Sequence, residues 1–463
     1  MVRRWEGRLS AAIFGGVADL TSLLPPQRRY GYVHPVLRRV LERPLPAVAG
    51  EAEPITPRRA VPGARGEAGV TCVLASDRLD VGGIGSIIEL LATSLGEAGV
   101  RPVVVCHADG PRAQRLREAG IEVHSVLDEE SAVRALREAA ADVIELHSAS
   151  PTLEKAALAS GIPLIPVLHN TEIHYSRAQW QRFEALLARS ASSIAVSRTV
   201  REFHLRHVDA SLADRVLIVP NGAPERPAAD AAVTARARAR LAETLGIEQD
   251  DAVVFLCLAR YDAQKNIAGM VASFLDAAAT MDQPIRLVVA GDPSDQAELR
   301  RADGIRRSSR FADRVHLLGN SDAAALLAAT DAFILDSFFE GWPVAATEAL
   351  GAGLPLILGD VGGAEELIAA DPRRSVLIAN AAGPAESISD ARVSAARRRA
   401  RRQGNAAEFA CAIRSVTDVV LSERRNPPER DATTVFGVER MARAHARIIA
   451  QAVGTKNRGA VSD

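Results

Sequence analysis

Residues 252–294 read AVVFLCLARYDAQKNIAGMVASFLDAAATMDQPIRLVVAGDPS. Ala252–Leu258 is an apolar run of strand length, followed by a short polar loop. A segment of helix length comes next, and then a second β-rich run, Arg286–Ala290, closed by Gly291, Asp292 and Pro293. Strand, loop, helix and strand in this order make a βαβ unit, and repeated units build a parallel, doubly wound sheet. Downstream the rhythm continues through Val315–Leu318, Ala332–Leu335, Leu356–Leu358 and Ser375–Ile378. Upstream, beyond a Pro/Ala-rich break at Pro224–Ala232, it occupies Val70–Ala75, Pro102–Cys106, Glu122–Val126, Asp142–Leu146, Leu164–Leu168, Ser193–Val196 and Val216–Val219. The spacing predicts an α/β protein with two Rossmann-like domains, over 69–224 and 225–430, facing a central cleft. Helical stretches, Asn405–Leu421 and Asp431–Ala452, close the chain, the second lying in a terminal segment 431–463.

Composition narrows the function. The chain has 463 residues, three times the roughly 150 of one domain. Its 56 basic and 57 acidic residues leave a formal charge of −1, which excludes a general nucleic-acid binder. Cys72, Cys106, Cys257 and Cys411 are far apart, without CxxC or zinc spacing, and read as reduced thiols. No apolar run reaches the roughly 18 residues of a membrane span. Ala11–Ala18 mimics a signal peptide, but Asp19 follows and no small-residue cleavage site is evident. A cytoplasmic protein is expected, with the inner membrane face as a peripheral alternative. Only Lys155, Lys265 and Lys456 are lysines, a bias expected of GC-rich coding, so each retained Lys invites a chemical reason.

Residues 1–68 stand apart as an arm, with eight of the 24 prolines and 11 Arg against six acidic residues. Short helices are expected over Ser10–Leu24 and Val36–Leu41, then a linker from Pro44 to Gly69. The arm reads either as a contact for an anionic membrane surface or a partner, or as a helix packed on the body. The run Arg397–Arg399 with Arg401 and Arg402 reads as a solvated helix face or as a further lipid contact.

The chemistry-bearing residues lie just after strands, where open α/β sheets bind ligands. Asp80-Val81-Gly82-Gly83-Ile84-Gly85 precedes a helix over Ser86–Glu97, and its glycines let amides approach an anion. Arg260 and Lys265 share one loop and suit a diphosphate, by planar forked donors and by a point charge. Glu340 precedes a helix opened by Pro343 and otherwise made of small residues, and Glu348 lies within it. A carboxylate on such a helix needs donors, and a sugar diol supplies them. Gly362-Gly363 opens another helix. His147 and His169, the second followed by Asn170, end successive strands. No cluster has metal-ligand spacing, and neither a G-x-S-x-G elbow nor a P-loop motif is present.

This set resembles family 4 of the retaining glycosyltransferases with the GT-B fold, over about residues 70–380. Its landmarks appear in order: the GG turn, VPNG at 219–222, Arg260 with Lys265, AGDPS at 290–294, the E-x7-E of Glu340 and Glu348, and LGAGLPLILGDVGGAEELI. EGWP stands where EGFG is commoner, and the arm is an addition. The resemblance implies donor binding by Gly82, Gly83, Arg260, Lys265, Glu340, Glu348 and Gly363. It places His169 beside the anomeric centre and makes Arg260, Lys265 and Glu340 catalytic. His147, Asp80 and Asn170 become secondary or acceptor-side candidates. It implies a C-terminal helix crossing back to the N-terminal domain. It also implies no metal and no cofactor beyond a UDP- or GDP-sugar co-substrate. The acceptor would be a carbohydrate, a lipid-linked molecule or a small molecule, in envelope polysaccharide, glycolipid or natural-product assembly. Two rivals stay open: a sugar-nucleotide epimerase or hydrolase of the same fold, and a non-catalytic partner protein.

Overall fold

Each of the thirteen apolar runs forms a strand, and all strand pairings are parallel. A computed structural model of the chain describes residues 2–21, 24, 28, 32–49, 69–79, 82–224, 231–248, 250–425 and 435–459. They fall into two compact units, one within 53–225 and 435–463, the other within 1–52 and 226–434.

The unit of 53–225 holds β1 (Val70–Arg78), β2 (Val100–Ala108), β3 (Glu122–Ser125), β4 (Val143–His147), β5 (Leu164–Leu168), β6 (Ser193–Ala195) and β7 (Val216–Ile218). Their order is β3-β2-β1-β4-β5-β6-β7. β4 and β5 are buried along their whole length, as parallel strands covered on both faces must be. Local chemistry starts the helices. Asp128 with Ser131 and Ser176 with Gln179 form capping boxes, and Ser150 caps a helix with Pro151 in its first turn. The C-terminal helix Val438–Gly459 returns to this unit and packs on helix Gly83–Ser94, β1 and β4. Its entry is tight: a Cβ on Gly222 would lie 2.7 Å from the carbonyl oxygen of Gly437.

The other unit holds β8 (Val253–Leu258), β9 (Ile285–Ala290), β10 (Val315–Leu318), β11 (Ala332–Leu335), β12 (Leu356–Gly359) and β13 (Val376–Ile378), ordered β10-β9-β8-β11-β12-β13. In each sheet the strand order reverses once, between β1 and β4 and between β8 and β11. Those reversals are the topological switch points at which such sheets take ligands.

The N-terminal segment packs on the second of these units. Helices Val2–Thr21 and His34–Leu41 both lie against helix Gln296–Ser308. Gly304 allows the first contact, since a Cβ there would meet the Ala11 nitrogen at 2.5 Å. Residues 44–49, read as linker, are tied down too: Gly319 N donates to Pro46 O and Asp322 N to Val48 O, both at 2.9 Å. Residues 50–68 of that linker lie outside the described residues. Among the described residues no helix is long and apolar enough to cross a membrane.

Candidate active site

At the β8/β11 switch point the sequence motifs meet. Lys265, on the loop after β8, donates from Nζ to Glu340 Oε1 at 2.5 Å. Glu340, on the segment after β11, accepts at Oε2 from Gln264 Nε2 at 3.2 Å. The same amide holds the Phe339 carbonyl at 2.9 Å, so Gln264 staples the two loops together. Arg260 stays half exposed, its guanidinium 3.0 Å from Asp262 Oδ2. Asp262 is buried, which raises its pKa against the pull of Arg260 and Lys265. Its Oδ1 accepts from the backbone nitrogens of Gln264 and Lys265 and shapes the turn. Asn266 then enters the helix at φ 50° and donates to Asp336 Oδ2 at 3.0 Å, while Asn405 donates to Oδ1 at 2.9 Å. Burial pushes the Asp336 carboxyl up to about 7, against those two amide donors.

The AGDPS landmark is held to this loop. A Cβ on Gly291 would sit 2.1 Å from Ala259 O, and Tyr261 N donates to Asp292 O at 2.9 Å. Pro343 caps helix Val344–Gly351, which puts Glu340 before the helix and the half-buried Glu348 inside it, as the sequence predicts. At Gly363, expected among the donor-binding residues, the backbone is packed closely. Its Cβ position would fall 2.0 Å from the ring of Trp342, so the glycine admits the indole. Trp342 Nε1 in turn donates to Thr347 Oγ1 at 2.8 Å. The W of EGWP is therefore built into the packing of the Glu340 loop.

The 53–225 unit carries a second cluster at its own switch point. Gly82, at φ 133°, opens helix Gly83–Ser94 with open space around it, a conformation that favours glycine. Asp80 lies outside the described residues. Arg112, a cation the sequence reading did not single out, reaches this helix start and donates to Ser86 Oγ at 2.6 Å. Asn170 Oδ1 accepts from Thr171 N at 2.9 Å.

His147 and His169 are in contact, with 2.9 Å between Nδ1 of the first and Nε2 of the second. His147 Nε2 lies 3.1 Å from Glu145 Oε2, and His445 Nδ1 from the C-terminal helix lies 2.9 Å from Glu145 Oε1. Glu145 and His445, which the sequence reading passed over, complete the row. The signal for Glu145 was its charge in the middle of an apolar strand, which has to be compensated. Burial pushes the Glu145 carboxyl up, but His445 and His147 outweigh it and hold it down at about 2. Glu145 is therefore an acceptor for both imidazoles. With Nε2–H spent on Glu145, a neutral His147 offers Nδ1 as an acceptor, so His169 donates from Nε2 and keeps Nδ1 unprotonated. Burial, reinforced by His147 and His445, drives the His169 pKa well below its ordinary value and keeps that ring neutral. His147 has no exposed surface and acts only through His169.

Next to His169 opens a cavity of about 220 Å³, bordered by Glu172, Tyr175, Phe183 and the Glu154–Arg182 ion pair. Burial pushes the Glu172 carboxyl up to about 7. Among the described residues no group of three or more His, Cys, Asp or Glu is arranged to hold a metal ion.

Two Rossmann-like parallel sheets, each with polar groups gathered at its switch point, define an α/β protein of the GT-B class. Comparison with known proteins gives the family. The model for "Glycosyltransferase Family 4" matches residues 81–225 and that for "Glycosyl transferases group 1" matches residues 242–406. The chain belongs to the family 4 glycosyltransferases. Alpha-monoglucosyldiacylglycerol synthase of Acholeplasma laidlawii is 24% identical over 243 residues, 49% of this chain and 60% of that protein. The match thus spans less than two-thirds of that relative. Among solved structures, Anabaena HepE (Alr3699), in complex with UDP and glucose, aligns at a TM-score of 0.60 and 16% identity. The alignment covers 82% of this chain and 99% of that one. A glycosyltransferase from Rickettsia africae aligns at 0.61 and 14%, over 83% and 99%. At these identities the likeness concerns the fold.

Proposed function

We propose that this protein transfers a sugar from a nucleotide-diphosphate sugar to an acceptor hydroxyl, with retention of anomeric configuration and without a metal. The observation that carries the reading is the joining of Lys265 to Glu340 at the switch point of one sheet. Lys265 and Arg260 would take the diphosphate and stabilise the charge that develops on the leaving nucleotide. Glu340, already bonded to that ammonium, would contact the donor sugar, and Glu348 the ribose hydroxyls. As the leaving oxygen gains charge, Lys265 would shift its donor from Glu340 to phosphate. His169, neutral and with a free Nδ1, can accept a hydrogen bond from a sugar hydroxyl. The cavity bordered by Glu172 and Tyr175 is the candidate acceptor pocket, suited to a molecule with an apolar part beside its hydroxyls. The named relatives, which pair UDP and glucose in one case and act in glycolipid synthesis in the other, support a hexosyl donor and leave the acceptor class open.

The test is turnover of a panel of UDP-, GDP- and ADP-sugars, chosen first by thermal shift because a bound ligand raises apparent stability by mass action. Nucleotide release that requires a carbohydrate or lipid acceptor supports transfer. Release without any acceptor would instead indicate a hydrolase or epimerase. Proton NMR of the product reads the anomer, and turnover after EDTA treatment reads metal dependence.

A further inference from the structure

Helix Val2–Thr21 packs with its small residues inward and its large apolar residues outward. Gly7, Ala11, Gly15 and Ala18 are buried, while Trp5, Leu9, Ile13 and Leu20 are 66, 47, 52 and 69% exposed. The helical period puts those four large side chains on one face. The inward contact is so close that a Cβ on Gly7 would lie 2.7 Å from Ser308 N. Helix His34–Leu41, on the same supporting helix, likewise exposes Val36 and Val40. Scattered exposed apolar residues are ordinary, but a contiguous bulky ridge calls for something to cover it.

The flank of the same helix borders a groove of about 640 Å³ lined by Arg8, Arg301, Arg398, Arg399, Arg401 and Arg402. Asp19 is the carboxylate among the lining residues, and the floor is small, Ala11, Ala12, Gly15 and Gly16. Arg301 is 6% exposed; its Nη2 donates to Arg397 O, and its buried Nη1 has no hydrogen-bond partner. The nearby carboxylate, Glu298, is already taken by Arg397, so a buried guanidinium with an unmet donor beside further arginines points to an anion. Burial, and then Arg8 and Arg301, lower the Arg401 pKa against the pull of Asp276.

We infer that this face docks on an anionic lipid bilayer, with the Trp5–Leu20 ridge at the headgroup–acyl boundary and a lipid phosphate in the arginine groove. A free anion would use the groove and leave the ridge unexplained. Apolar residues flanked by arginines on one exposed helix are the pattern that lies in a membrane interface. The inference is independent of the transfer chemistry.

The experiment is sedimentation of the full chain with vesicles of phosphatidylcholine alone and of phosphatidylcholine with phosphatidylglycerol. The protein is expected to pellet with the anionic vesicles, less at high salt, with a blue shift in emission that Trp5→Phe abolishes. Arg398→Glu with Arg402→Glu should lower partitioning by at least about tenfold, since each basic residue near an anionic surface is worth roughly a factor of five. Trp5→Ser with Ile13→Ser should lower it similarly; all four side chains are exposed, so folding is spared. Failure of the native protein to bind, or equal binding to neutral vesicles, overturns the inference. So does a dimer in sedimentation velocity that Trp5→Ser with Ile13→Ser dissolves, which would make the ridge a contact between copies.

Discussion

Lys265 is the one lysine between residues 156 and 455, and it makes a buried contact with a carboxylate rather than lying in solvent. Removing one partner of such a pair leaves the other charge uncompensated, so stability and transfer change together in Lys265→Ala. The double variant Lys265→Ala with Glu340→Gln separates them. It should recover most of the loss in Tm seen in Lys265→Ala, yet remain at least about a hundredfold below native in kcat/KM. Recovery of transfer along with Tm would show that Lys265 is structural. Glu340→Gln alone should keep nucleotide affinity by calorimetry and lose transfer. At Gly363 the structure adds a packing role. Its Cβ would collide with a buried indole, so Gly363→Ala should lose about 1–3 kcal/mol by overpacking, read in urea denaturation. Unchanged stability would contradict that packing role.

At the scale of elements, four side chains on β4, the segment after β5 and the C-terminal helix form one row from His445 through Glu145 and His147 to His169. Glu145 touches no exposed group, so it is a positioning residue that fixes the tautomer of His169. Its charge also raises the His169 pKa. Glu145→Gln should therefore lower kcat about tenfold or more while leaving donor KM within twofold, and move the acid limb of the pH–rate profile to lower pH. An unchanged limb with reduced activity would mean that Glu145 only supports packing. The strands themselves were legible from the sequence, because a run of apolar residues bounded by loop residues is a local signal. The row was not, since Glu145 and His445 are 300 residues apart and neither belongs to a motif.

For the whole molecule, acid is the sensitive direction. The pKa of Glu145 is held at about 2, below its ordinary value, so its contribution is complete above about 4.5 and is lost as pH falls toward 2. Burial holds His204 and His316 down at about 4, and His147 and His169 are shifted the same way. Their neutral forms favour folding, so stability declines as pH drops from about 6.5 toward 4. Urea midpoints at pH 7, 5.5 and 4 should fall in that order, and a flat series would contradict the assignment of these groups as buried and neutral. By itself the sequence determined the two doubly wound sheets and the loops after β8 and β11, because periodicity and strand-end chemistry are properties of neighbouring residues. Only the tertiary structure decided that Lys265 meets Glu340, that Gly363 makes room for Trp342, and that the C-terminal helix supplies His445. It also decided that the N-terminal helix turns its small face inward against Gly304 and leaves its bulky face exposed. Each of these joins residues far apart in the chain, and such partners are set by close packing, which no local pattern encodes.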